Sequence, residues 1–413
     1  MTRLRVLVLT QHFWPESFRI NEVVEDLRDG GADVTILTGQ PNYPDGAVFP
    51  GYRATGLNVE QGPSGILIHR VPIIPRARGR ARHLVANYLS FIASASVLGP
   101  VALRGQSFDV VFVYGTSPIL QAIAAVILGR LKGAALVTWV QDLWPESLQV
   151  TGFVNDKKLL AAVRVVVEGI YRANDLLLVQ SEAFVVPVRA LAGTTPVIVH
   201  PNPGERAFQT RCDGTVPPSL RLGEGFQVVF AGNLGTVQAL DTVLDAAERL
   251  RGTDVRFTLV GSGSRSAWVA DQVERRGLDM VTLAGRFPPE AMPGILDQAS
   301  ALLVTLVKSA AMSQTIPSKV QAYLAAGRPV IAALDGEGAR VVEAAGAGVA
   351  CPAEDAVALA AAVTRLRALS LEERNAMGER GRLYYEKYFD GRRLAGVLLE
   401  TLVGVVEQRR ERA

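Results

Sequence analysis

A chain of 413 residues exceeds what a single hydrophobic core fills, so two or three domains are expected. With 49% hydrophobic and 20% charged residues and no long low-complexity run, the composition is that of a folded protein and excludes disorder as its main state. A formal net charge of +3 is too small to name a partner, and no basic face interleaved with aromatics points to nucleic acid.

The N-terminal apolar run ends at polar Thr10-Gln11-His12. That is too short for a secretory core, so residues 6–10 are predicted as a buried strand. A helix at 20–28, Gly30-Gly31 and a strand at 34–38 follow. Residues 84–103 carry no charge over a length that could span a bilayer, but Asn87, several small polar positions and Pro100 favour a buried or interfacial helix. Just before it, Arg76, Arg78, Arg80 and Arg82 read as a solvated loop or as contact with anionic lipid. Further apolar runs at 110–114, 136–140, 176–179 and 197–200, with helices between, have the pattern of strands buried on both faces of a parallel sheet.

The pattern pauses at Pro201-Asn202-Pro203-Gly204 and stays irregular through Pro217-Pro218, which marks a linker. A second series then runs through 228–231, 256–260, 281–284, 301–306 and 330–333. The reading is α/β, with doubly wound domains at 1–202 and 203–385 and a helix at 386–413. That helix carries Leu394, Val397, Leu398, Leu402 and Val405 on one stripe.

Cys212 and Cys351 are far apart, which argues against a disulfide framework and fits a reducing compartment, so a cytoplasmic location is expected. The histidines His12, His69, His83 and His200 lack metal-site spacing, so no metal or other cofactor is expected.

Ligands of open parallel sheets bind beyond the carboxyl ends of the strands, where glycine turns and helix N-termini present N–H groups to anions. Two such loops follow strands of the second series, Gly232-Asn-Leu-Gly235 and Gly261-Ser-Gly263; each glycine could equally serve a tight turn. The run Thr315-Ile-Pro-Ser-Lys319 places Ser318 and Lys319 at a helix start. A lysine there opposes the helix dipole at a cost of about 0.3–1 kcal/mol, unless a bound anion such as a diphosphate offsets it. Lys308, just past a strand, could converge on the same point. In the first series Trp14-Pro15-Glu16 recurs as Trp144-Pro145-Glu146, each after a strand; aromatic faces suit sugar rings and carboxylates suit hydroxyls, whereas a single copy would read as a buried Trp with a solvated Glu.

The segment PSKVQAYLAAGRPVIAA, with AGNLG, VGSGS, AGRFP and NDLLLVQSEAF, resembles the retaining family-4 glycosyltransferases of the GT-B fold. The opening LTQHFWPESFRINEVVEDL, with VTILTGQPNYPDG and VQDLWPES, is similar to the subgroup that builds bacterial surface polysaccharides of the O-antigen, capsule and colanic-acid type.

The resemblance implies two Rossmann-like domains facing across a cleft, with the C-terminal helix crossing back to the first. It implies transfer of a hexose or N-acetyl-aminohexose from a UDP- or GDP-sugar to a lipid-linked saccharide, with the enzyme peripheral on the inner face of the plasma membrane. The nucleotide-sugar is a substrate, and no metal is implied. Carried over by position, the donor set includes Gly232, Asn233, Gly235, Gln238, Arg286, Gln314, Ser318 and Lys319; Gly261 joins it from the second glycine loop, and Arg19 and Lys308 as further cations for the diphosphate. The acceptor set is His12, Trp14, Glu16, Trp144 and Glu146, and the catalytic candidates are Asp142 and Lys319.

The chain departs from the family pattern at four places. Gln314 and Ala322 stand at the positions of two family glutamates, and Asn233 and Gln238 at those of an arginine and a lysine. Two alternatives remain open at this stage: a sugar-nucleotide epimerase of the same fold, and an inactive sugar-nucleotide-binding protein.

Overall fold

The computed structural model describes residues 3–77, 81–150, 156–206 and 221–412. Arg78, Arg80, Cys212 and Pro217-Pro218 lie outside them. The chain divides into two compact units, an N-terminal one of Met1–Pro203 with Gly391–Ala413 and a C-terminal one of Gly204–Asp390.

The N-terminal unit is built on an eight-stranded sheet. Its strands are β1 (Arg5–Leu9), β2 (Asp33–Gly39), β3 (Asn58–Gln61), β4 (Leu67–Val71), β5 (Val110–Gly115), β6 (Ala135–Val140), β7 (Leu176–Val179) and β8 (Val197–Val199). Their order is β3-β4-β2-β1-β5-β6-β7-β8, parallel except for β3 against β4. Alternate residues of β1 serve two separate cores. Val6 and Val8 pack with Ile20 and Val24, and Leu7 and Leu9 with Val111 and Leu128. Burial on both faces is why these strands read as continuous apolar runs rather than alternating ones.

Two strands, β3 and β4, have no counterpart in the sequence expectation. β4 contains His69 and Arg70, which break the apolar run, yet Arg70 is fully buried. Its guanidinium donates to Glu60 of β3 and to the carbonyls of Gly39 and Trp14, so the charge is paired inside the sheet.

The helix Ala81–Ala102 packs one face into this unit, where Asn87, Phe91 and Ala95 are buried, and exposes Val85, Leu89, Val97 and Val101. Residues Arg82–Ala102 are long and apolar enough to cross a membrane by length and composition.

The C-terminal helix Gly391–Arg412 belongs to the N-terminal unit. Leu398, Leu402 and Val406 join the core of Val6, Ile20 and Val24, while Arg409 pairs with Asp175 and Arg410 with Asp109. The stripe differs in detail from the expected one, since Val397 is 44% exposed. The boundary also falls at 391 rather than 386. Leu371–Tyr388 is a single helix, started by a capping box of Ser370 and Glu373, and it stays within the C-terminal unit.

The C-terminal unit has six parallel strands, β9 (Phe226–Ala231), β10 (Val255–Val260), β11 (Val281–Gly285), β12 (Ala301–Thr305), β13 (Val330–Ala333) and β14 (Gly348–Cys351), in the order β11-β10-β9-β12-β13-β14. The short run Gly348-Val-Ala-Cys351 carries too little apolar bulk to be read as a strand, and pairing with β13 makes it one. In both units the strand order reverses at the centre, between β1 and β5 and between β9 and β12. The crevice outside such a reversal is where ligands of doubly wound sheets bind.

Candidate functional site

The loops after β9, β10 and β11 and the start of the helix Ser318–Ala326 enclose a cavity of about 820 Å³ within the C-terminal unit. That volume lies in the range of small-molecule sites. The loops are drawn together by backbone bonds: Gly232 N donates to Val260 O at 2.8 Å, Gly261 N to Gly285 O at 2.7 Å, and Leu234 N to Ser262 O at 3.0 Å. Two glycines make the approach possible. Gly232 has φ +136° and a Cβ there would lie 2.5 Å from Lys319 Cε; Gly261 has φ +131° and a Cβ there would lie 1.9 Å from Gly232 O.

Lys319 reaches the cavity from the second position of its helix, Pro317 preceding the first turn rather than lying in it. Its Nζ donates to Gln238 Oε1 at 2.6 Å and lies 4.3 Å from the centroid of the Phe230 ring. Burial lowers its pKa to about 8, and no carboxylate pairs with it among the described residues. Tyr323, on the same helix, is hydrogen-bonded to both N–H and C=O of Ala231 and so fixes the end of β9 against it. Lys319 thus stands beside Gln238, the position at which the resemblance implies a family lysine.

Of the expected donor residues, Gly232, Asn233, Gln238, Gly261, Arg286, Ser318 and Lys319 line the cavity. Four others do not. Gly235 lies against the Asn233 side chain, 2.6 Å from where its Cβ would be. Lys308 is exposed, with its backbone N–H given to Glu354, because the chain turns outward after β12. Gln314 ends the short helix Ala310–Gln314 outside the lining. Arg19 belongs to the N-terminal unit, where its guanidinium donates to Pro203 O. The lining also contains Ser262 and Gly263 of the second glycine loop and Thr315 and Tyr323 of the segment around the helix start, together with Glu205, which lies outside every segment singled out from the sequence. Ala322, at the position of a family glutamate, opens onto it as a methyl group.

In the N-terminal unit the expected acceptor residues gather at the carboxyl ends of β1 and β6, but in unequal states. Glu16 is buried; Oε1 accepts from Asn42 N and Tyr43 N, both at 2.7 Å, and Oε2 lies 3.0 Å from His12 Nδ1. Its oxygens are thus engaged within the unit, Oε1 by the loop after β2 and Oε2 by His12 of its own loop, which differs from its expected role toward acceptor hydroxyls. His12 in turn stacks on Phe18, with ring centroids 5.0 Å apart, and tilts against Tyr43. In the second copy of the tripeptide Trp144 is buried and Glu146 exposed.

Asp142 accepts through Oδ2 from Ser117 N at 2.9 Å and Ser117 Oγ at 2.8 Å, and Trp144 Nε1 donates to the same Oγ at 3.0 Å. Its orientation is thus set by β5, β6 and the tryptophan together. The described cysteine, Cys351, is buried with its thiol pushed up to about 11, a poor nucleophile. Among the described residues no group of three or more His, Cys, Asp and Glu side chains gathers as a metal site would.

Residues 17–203 match the model of a glycosyl transferase 4-like domain, and residues 225–368 that of the glycosyl transferases group 1. The matches follow the order of the two units. WcaI of Escherichia coli K12, described as a colanic acid biosynthesis glycosyl transferase, is 26% identical over 339 residues, 78% of this chain and 82% of its own. WbjE of Pseudomonas aeruginosa, described as a glycosyltransferase, is 24% identical over 308 residues, 70% of this chain and 73% of its own. The crystal structure of Anabaena Alr3699/HepE in complex with UDP matches with a TM-score of 0.68 at 14% identity, over 97% of this chain and 100% of the other, and speaks for the fold. With both units matched in order and two relatives aligned over most of their length, the chain belongs to the family-4 glycosyltransferases of the GT-B fold, in the subgroup those two relatives represent.

Proposed function

We propose that this glycosyltransferase moves a hexose or N-acetyl-aminohexose from a UDP- or GDP-sugar to a lipid-linked saccharide, with retention, in the assembly of a surface polysaccharide. The observation that carries the donor half is Lys319, a partly buried cation at the cavity with an amide and an aromatic ring for company and no carboxylate paired with it among the described residues. Such a charge is costly unless an anion joins it, and the N-terminus of its nine-residue helix favours the same anion. A diphosphate satisfies both. The Anabaena neighbour's complex with UDP supports that base, and the name of the Escherichia coli relative supports the polysaccharide role.

In this reading the donor's C1–O bond breaks toward an oxocarbenium ion while the acceptor hydroxyl attacks from the face the diphosphate leaves. The departing diphosphate takes the hydroxyl proton, so no protein nucleophile and no metal is required. Lys319, Arg286 and the helix N–H groups stabilise the leaving charge, and Asp142, locked by Ser117, orients the acceptor. The protein works on the inner face of the plasma membrane, where both substrates meet.

A thermal-shift screen against UDP, GDP, ADP, CMP, dTDP and NAD tests the donor site. One nucleoside diphosphate at a hundred times its Kd should add about 2.7 kcal/mol, and Lys319→Ala should abolish the shift. A response to NAD alone overturns the reading. The anomeric configuration of the product, read by proton NMR, tests retention.

A further inference from the structure

The N-terminal unit holds a second cation, Arg76, without an ionic partner among the described residues, at the foot of an apolar helix face. Arg76 N donates to Asn42 Oδ1 at 3.1 Å, and its guanidinium lies 5.0 Å from the Tyr43 ring centroid and 5.9 Å from that of Tyr88. The side chain makes no hydrogen bond or ion pair among the described residues. Its anchor is rigid: Asn42 is buried, Glu16 accepts its N–H, its Nδ2 donates to Gln40 O at 3.0 Å, and Asn87 Nδ2 approaches its Oδ1 at 3.3 Å. A guanidinium held between two rings keeps its N–H groups for an outside acceptor, and phosphate suits its forked geometry. Tyr88 lies within electrostatic reach of both Arg76 and Asp142, the carboxylate proposed to orient the acceptor.

Tyr88 is on the helix Ala81–Ala102, whose outer face presents Val85, Leu89, Ala93, Val97 and Val101 at four-residue intervals. Sixteen residues of helix extend about 24 Å. Lys132 donates to Leu103 O and Gln106 O, which brings the neighbouring helix, with Leu131 64% exposed, to the Val101 end. From residue 61 to 108 the chain contains no Asp or Glu, and none from 110 to 141, so these two segments bring no acidic side chain to the helix's outer face. An exposed apolar stripe of this length that begins at an unpaired cation matches an amphiphile with one anionic head and a long tail.

We propose that Arg76 takes the phosphate of the acceptor's lipid carrier and that the lipid chain lies along Val85–Val101. The inference rests on the reading that the acceptor is lipid-linked, and the test separates the two. Binding of geranylgeranyl phosphate to the full-length protein is measured by calorimetry, with geranylgeraniol, dimethylallyl phosphate, inorganic phosphate and phosphatidylglycerol vesicles as comparisons.

The expected result is binding of geranylgeranyl phosphate that weakens at least tenfold in Arg76→Gln and recovers in part in Arg76→Lys. A Leu89→Ser/Val97→Ser variant should lose affinity for geranylgeranyl phosphate and keep it for dimethylallyl phosphate. Unchanged binding in Arg76→Gln overturns the subsite and leaves the lipid-linked acceptor standing. No binding of either isoprenyl phosphate, together with turnover of a soluble saccharide acceptor, overturns both. Equal affinity for inorganic phosphate, or an Arg76-dependent response to vesicles with no preference for the isoprenyl phosphate, replaces the carrier with a simple anion or a membrane surface and overturns the proposal.

Discussion

The two units share a topology and differ in what they do with charge. The C-terminal unit sets Lys319 beside an amide and a ring, with no counter-ion among the described residues. The N-terminal unit buries Glu16 and surrounds it with His12 and two backbone N–H groups. The proposed function assigns the first charge to a ligand, while the second wires loops together. The same contrast recurs inside the N-terminal unit, where the glutamate of one Trp-Pro-Glu is buried and that of the other is exposed. Fold and even local motif therefore do not assign a role; the partners of each charge do.

The largest effect that would sharpen this contrast is on stability. Glu16→Ala leaves the buried N–H of Asn42 and the part-buried N–H of Tyr43 without their acceptor and should cost about 3 kcal/mol in urea unfolding of the full chain, with nucleotide affinity unchanged. A loss below about 0.5 kcal/mol would break the comparison. Lys319→Met should act in the opposite sense. Nucleoside-diphosphate affinity, measured by calorimetry, should fall about a hundredfold, or about 2.7 kcal/mol, while the unliganded protein holds or gains stability because an uncompensated charge has gone.

The pH dependence follows with a smaller effect. Lys319 has a folded pKa of about 8 against an ordinary 10.5, so between these values the unfolded chain holds more protons. The destabilisation from this group is complete below pH 8 and fades as pH rises toward 10.5. Binding has the opposite sign, because the diphosphate selects the protonated amine. Affinity should be flat below pH 8 and fall by up to about tenfold per pH unit above it, and the Met variant should show no such slope.

Much of the fold was legible because strands buried on both faces leave continuous apolar runs; 176–179 and 330–333 are strands with those bounds. β4 was hidden by the very residue that holds it, since Arg70 looks like a surface charge until Glu60 and two carbonyls surround it. The site was legible where glycines and a helix start coincide, at Gly232, Gly261 and Lys319. Lys308 lies outside the lining because sequence position fixes the end of β12 but not the direction the chain takes after it. Glu205, in the linker, has no periodic or motif signal at all.

The smallest predicted effect is the most discriminating for the repeated tripeptide. Glu146 is exposed at the first residue of the helix Glu146–Val150, so Glu146→Gln removes only its interaction with the helix dipole, about 0.3–1 kcal/mol. Stability should therefore hardly move. If Glu146 meets acceptor hydroxyls, KM for the acceptor should rise severalfold with kcat kept, since the interaction is the same in the ground and transition states. If KM is also unchanged, neither glutamate of the repeat touches sugar. Asp142 would then be the sole carboxylate of the proposed acceptor set left to do so, and Asp142→Asn should lower kcat.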